Sequence, residues 1–148
     1  MNRSLLRLLR IREMVEDQAR LELERTHAEL RSLEQSAEQQ RQMTRRIRTE
    51  VVEDITAQET TAEGLRLKMI DAELAGRCEA RLKGLAEAAK PFVDQAREQF
   101  MERRRERRQA EILHSNALRE EERHQIRQDQ NRTDDLMQSR SHDSGRRG

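Results

Sequence analysis

Aromatic side chains are nearly absent from this 148-residue chain, which has two phenylalanines, Phe92 and Phe100, and no tryptophan or tyrosine. Hydrophobic residues make up 33% of it, charged residues 40%, and the mean hydropathy is −1.14. Such a composition cannot enclose a globular core; it fits either a disordered chain or a long helix that buries one stripe. Cys78 is the single cysteine, which excludes an internal disulfide or a thiolate metal site and leaves the expectation of a small core residue. Long apolar runs are missing too: the leucines at positions 5 to 9 are broken by Arg7 and stopped by Arg10, so neither a membrane helix nor a signal-peptide core is present, and a cytoplasmic protein is expected. Nor does one sign of charge prevail, because 30 basic and 29 acidic residues leave +1, which implies no general affinity for nucleic acid or anionic lipid. His27, His114, His124 and His142 have no metal-ligand spacing with one another or with Cys78, and no metal or cofactor is expected.

What the chain does have is periodicity. Leu8, Ile11, Val15, Ala19, Leu23, Thr26, Leu30, Leu33, Ala37, Thr44, Ile47 and Val51 follow one another mostly in steps of three and four, which places them on one narrow seam of a helix. From Leu8 to Ala19 the steps describe an eleven-residue unit, so a nearly straight start is expected before a left-handed supercoil sets in. Gln40 and Asp54 interrupt the seam. Arg12, Glu16, Arg20 and Glu24 form an i,i+4 ladder read as a solvent-facing edge.

Between residues 49 and 65 the pattern changes. Glu50, Glu53, Asp54, Glu59 and Glu63 meet no nearby base, while Thr56, Thr60, Thr61 and Gly64 weaken the helix. A turn is expected over 56–65, between a first helix over about 3–55 and a second over about 66–137, the helical counterpart of a hairpin. The second seam is read through Met69, Ala72, Ala75, Cys78, Leu82, Leu85, Ala89, Phe92, Ala96 and Phe100, then Ala110, Leu113 and Ala117. Its small residues suit close antiparallel packing. With the turn centred near residue 60, partners have numbers adding to about 120 and Leu8 lies by Ile112; Arg103, Arg104, Arg105, Arg107 and Arg108 then come alongside Glu13, Glu16 and Asp17. The fold class is therefore all-α, a long antiparallel two-helix coiled coil forming one unit over 1–137, with a disordered tail over 138–148. Pro91 is expected to kink the second helix; a full break there would give three helices instead.

The ends differ from the middle. Arg3, Arg7, Arg10 and Arg12 accompany Leu5, Leu6, Leu8, Leu9 and Ile11 without an acid among them, a basic amphipathic start suited to a helix end, a membrane surface or a protein groove. Past about Leu118 the second helix has no partner left in the first, so this polar overhang needs an outside partner or frays.

The Leu- and Arg-rich start LLRLLRIREMVEDQARLELERTHAEL, the turn near the middle and the ending EEERHQIRQDQNRTDDLMQSR resemble the flagellar FliJ family and its type III secretion counterpart, the YscO family. The FliJ-like ending corresponds to Asp129, Gln130, Asp134, Asp135 and Leu136, and the resemblance extends to about Arg140; the aromatic residues common in such proteins are missing here. It implies a coiled coil similar to the γ subunit of rotary F-type ATPases, inserted as a central stalk into the export ATPase hexamer, touching the cytoplasmic domain of the export gate and binding export chaperones. Such a protein serves flagellum biogenesis and motility, sits at the cytoplasmic face of the inner membrane by peripheral association, and is a monomer in isolation. The residues expected to meet the ATPase are Arg3, Arg7 and Arg10 on the first helix and Arg119, Arg123 and Arg127 on the second.

Two other classes compete. A homodimeric coiled-coil scaffold has the same composition and differs in its sedimentation. Nucleic-acid binding through 41–48 and 103–108 lacks stacking aromatics and any zinc or helix-turn-helix pattern. An enzyme is not expected, since two helices offer no concave pocket in which nucleophile, base and orienting group could meet.

Overall fold

The computed structural model describes residues 2–58 and 61–147. Among them there are two elements, α1 (Asn2–Ala57, 56 residues) and α2 (Ala62–Arg146, 85 residues), packed against each other. α1 is richer than α2 in the helix formers Leu, Arg, Glu and Gln, none of them branched at Cβ, and carries no Gly or Pro. It ends where Gln58 takes a left-handed φ of 50°, which closes off the last turn. α2 is opened by Thr61, whose hydroxyl accepts the Gly64 N–H at 3.2 Å and whose carbonyl accepts the Leu65 N–H at 3.0 Å, with Glu63 favouring the positive end of the helix. The connection is tighter than the expected 56–65, and two residues of that expectation, Glu59 and Thr60, lie outside the described residues.

The chain divides into two compact units. The larger, Asp17–Glu102, holds the turn-side halves of both helices. Within it Lys68 bonds Asp54, Gln40 Nε2 donates to the Ala75 carbonyl at 3.4 Å, and the Arg20 guanidinium sits 5.8 Å from the Phe100 ring centre. In these pairs the residue numbers add to about 120, so the helices run antiparallel in the expected register. The other unit, Met1–Glu16 with Arg103–Gly148, shows the same register through Asn2 with Glu121 at 2.6 Å and Arg12 with Glu106 at 2.8 Å.

Burial then shows which residues form the seam. On α1 they are Leu5, Leu9, Arg12, Glu16, Ala19, Leu23, Thr26, Leu30, Leu33, Ala37, Gln40, Thr44, Ile47, Val51 and Asp54, an unbroken alternation of threes and fours. Leu8 and Val15 flank it half-buried, whereas Ile11 is 55% exposed. The eleven-residue unit expected near the N-terminus is thus replaced by a constant seven-residue repeat, because Arg12 and Glu16, apparent solvent markers, find opposite charges on α2 and can occupy the interior.

On α2 the seam is Leu65, Lys68, Ala72, Ala75, Glu79, Leu82, Ala86, Ala89, Val93, Ala96, Phe100, Arg103, Arg107, Ala110, His114 and Ala117. Its most buried apolar members are Ala75, Ala86, Val93, Ala96 and Ala110. Leu82 and Ala89 fall where the sequence places them; Met69, Cys78, Leu85, Phe92 and Leu113 do not, and all five are exposed. Cys78, Leu85, Phe92 and Leu113 each lie one position before the true seam residue and Met69 one position after it, since choosing the apolar neighbour breaks the strict repeat that keeps α2 facing α1.

α2 passes through Pro91 as a single helix, so the three-helix alternative does not occur. Pro91 is exposed, which lets water solvate the carbonyl one turn back, while Ala89 and the buried Val93 hold the helix to α1 on either side of it. α2 also continues across the stretch for which a disordered tail is expected: from Leu118 to Arg147 every residue is exposed, yet the helix runs to Arg146. No proline interrupts that stretch, and the Ser139, Ser141 and Ser144 hydroxyls donate to carbonyls three residues back.

Candidate functional site

In the Met1–Glu16 and Arg103–Gly148 unit the seam becomes ionic. Glu16 is 4% exposed and pairs with the Arg107 guanidinium, whose Nη1 also donates to Glu111 at 2.8 Å. One turn away Glu106 accepts from Arg12 at 2.8 Å and from Arg103 at 3.1 Å. Three arginines and three glutamates thus cancel one another where the other unit has alanine and valine. An ion pair this far from water gains little net stability, but it strongly disfavours any register that would leave Glu16 unpaired. The expected register already brings Arg103 and Arg107 alongside Glu16, although the two halves of the cluster stand about ninety residues apart in sequence; the burial of Glu16 is what it does not show.

The six arginines expected at an ATPase contact are all exposed. Arg3 and Arg7 border one shallow groove on α1 with Ser4, Leu8 and Ile11. Arg123 and Arg127 border a second, together with Asn2, Ser4, Leu5, Ala117, Glu120, Glu121 and His124. Arg10 and Arg119 line neither. The arginines of α2 are also not free of acid, as Glu120 and Glu121 stand in the wall of the same groove and Glu121 accepts a bond from Asn2. What this arrangement offers chemically is a polar surface of mixed sign, with arginine tips available for carboxylates.

The turn-side unit has its own charged features. A groove between the helices is bordered by Glu34, Glu38, Arg41, Glu79, Lys83, Glu87 and Lys90 over a floor of Ala37 and Ala86. At the turn, Asp54 is not unopposed as expected from the local sequence: its hydrogen bond to Lys68, together with the negative charge of Asp54 and Glu50, raises the Lys68 ammonium above its ordinary pKa. Among the described residues no three His, Cys, Asp or Glu side chains are grouped to hold a metal ion, and no helix is long and apolar enough to cross a membrane.

A feature that sequence reading assigned to the interior lies outside. Cys78, Leu85 and Phe92, spaced by seven, stand exposed on α2 in line with Leu67 and Leu74. The strict three-and-four repeat through Ala72, Ala75, Glu79 and Leu82 is the signal that would have separated them from the seam. No family model, curated protein or solved structure matches this chain.

Proposed function

We propose that the protein is a non-enzymatic coiled-coil component of a flagellar type III export apparatus, acting as the central stalk of the export ATPase ring and contacting the export gate and export chaperones. The observation that carries this reading is the continuation of α2 beyond its bond to α1 at Glu121 as an entirely exposed helix. A helix that has no partner of its own acquires stability by docking on another molecule. The uninterrupted seven-residue repeat on both helices supports a left-handed coiled coil. A charged exterior supports a stalk, since a greasy one would hold too tightly to whatever surrounds it. The resemblance of both ends to the FliJ family supplies the particular system.

In this reading Arg3, Arg7, Arg10, Arg119, Arg123 and Arg127 meet acidic or polar groups facing the ring's interior. Reversing Arg119, Arg123 and Arg127 to Glu keeps helix content, because Glu and Arg are equal helix formers, and weakens both ATPase stimulation and motility. A triple variant that stimulates its ATPase fully and swims normally, while changes near the turn abolish both, would overturn the proposal. Co-purification from native cells identifies which ATPase is involved.

A further inference from the structure

α2 carries a second row at three-and-four spacing: Leu67, Asp71, Leu74, Cys78, Arg81, Leu85, Ala88 and Phe92. All eight residues are exposed, with Leu67 at 64%, Leu74 at 56%, Leu85 at 46% and Phe92 at 65%. They lie within the Asp17–Glu102 unit, along about 39 Å of helix, on a face that α1 does not cover. A single exposed leucine is ordinary; a row of four large apolar residues and a cysteine in heptad register is the pattern by which one helix meets another.

The two charges in the row decide what covers it. Asp71 and Arg81 form no ion pair within the chain among the described residues. When two copies of α2 lie antiparallel so that Asp71 of one meets Arg81 of the other, the two-fold axis makes the reverse pair as well. The same register sets Leu67 opposite Leu85 and Leu74 opposite Cys78, twice each, so between 67 and 85 apolar residues meet apolar residues, while Ala88 falls opposite Gly64 and Phe92 lies beyond the paired stretch. A parallel pairing would instead stack Asp71 on Asp71 and Arg81 on Arg81. A shift by one heptad would leave Arg81 against Cys78 and Asp71 against Ala88, with neither charge matched. The axis passes at Gly76, and Arg77 beside it is held by Glu73 of its own helix at 2.9 Å.

From this self-complementarity we infer that the protein forms a two-fold symmetric dimer through the face Leu67, Asp71, Leu74, Cys78, Arg81 and Leu85 of α2, with a second copy of the chain as the occupant. An isologous contact of this kind uses one patch twice, and it is closed, so it ends at two copies. None of the six terminal arginines belongs to the face, but the inference departs from the stalk reading in oligomeric state, since a stalk is expected to be a monomer in isolation. The seam expected from the sequence counts Cys78, Leu85 and Phe92 among residues buried by α1, whereas all three are exposed.

Sedimentation equilibrium on the full chain at about 50 µM tests it, a concentration at which a specific interface of ordinary size is occupied. The wild type sediments as a dimer. Asp71→Arg and Arg81→Asp, each setting like charges face to face, raise the dimer dissociation constant by about tenfold or more, and the double variant D71R/R81D restores it to within about threefold of wild type. Both residues are exposed, so helix content by circular dichroism stays constant across the set. In addition, Leu74→Cys allows Cys78 of one copy to oxidise onto the new cysteine of the other, giving a covalent dimer on a non-reducing gel. A monomeric wild type overturns the inference, as does a dimer that neither single charge reversal weakens.

Discussion

The Asp17–Glu102 unit and the Met1–Glu16 with Arg103–Gly148 unit are built from the same two helices in the same register, yet their interiors are different chemistry. The first closes mainly on Ala75, Ala86, Val93 and Ala96, small groups that let the backbones come close, with the Lys68–Asp54 pair confined to the turn end. The second closes on Glu16 with Arg107 and on Glu106 with Arg12 and Arg103. Apolar burial is tolerant of small shifts along the seam, because one alanine is much like the next. Ion pairs are not tolerant, since a slip of one heptad strands a buried carboxylate. The comparison teaches that stability and register are supplied by different halves: the alanine-rich half holds the helices together, and the ionic half fixes which residues meet.

The largest effect is expected where a charge enters the apolar half. Ala96→Asp, and equally Leu30→Asp on the facing helix, lowers unfolding free energy by about 3 kcal/mol or more, since a carboxylate replaces an apolar group on the packed seam, and thermal denaturation reads the loss directly. Glu29→Gln on the exposed side of the same helix changes it by less than about 0.5 kcal/mol. Should Leu30→Asp and Glu29→Gln act alike, the seam is assigned to the wrong face.

The ionic half gives a middle-sized effect. Glu16→Ala leaves Arg107 with Glu111 and some solvent, so the cost is about 1–3 kcal/mol, below that of a fully stranded buried charge. A double-mutant cycle with Arg107→Ala should show coupling above about 0.5 kcal/mol; additive losses would mean that the pair is not formed. The Lys68 and Asp54 contact near the turn is more exposed and contributes less, and Lys68→Met is expected to stay within about 1 kcal/mol of wild type.

The smallest effect concerns Gly76 and Gly84, two glycines in the middle of α2. At Gly84 an added methyl group meets nothing within 4 Å, so Gly84→Ala should raise stability by about 1 kcal/mol through helix propensity alone. At Gly76 the same methyl would lie 3.3 Å from Arg48 Nη2, the flexible tip of a long side chain, so the gain there is smaller. A loss at Gly84 would mean that something covers it in solution, which would bear on the pairing face beside it.

Much of the α1 seam was legible because its leucines, valine and isoleucine coincide with the repeat from Ala19 onward. The α2 seam was legible only in part. There the bulky residues Cys78, Leu85, Phe92 and Leu113 each sit one place ahead of the seam, so reading for apolarity and reading for period gave different answers. Period is the better guide for paired helices, since a residue one place off is turned about 100° away from its partner. The six terminal arginines could be picked out by their charge, but not their neighbours: Glu120 and Glu121 beside Arg123 and Arg127 needed the placement of Asn2 to be seen as part of the same groove.

Heptad spacing makes the chain helical, the threonines and Gly64 reverse it near residue 60, and the opposite charges of its two ends agree with pairing at numbers adding to about 120, all of which can be read from the residues alone. That Glu16 is buried and Arg12 half-buried on the seam while Ile11, Leu85 and Phe92 face water became visible only with both helices in place. The physical reason is that burial is set by what stands across the interface. A glutamate opposite Arg107 can be buried, and a phenylalanine turned away from α1 stays in water until another helix covers it.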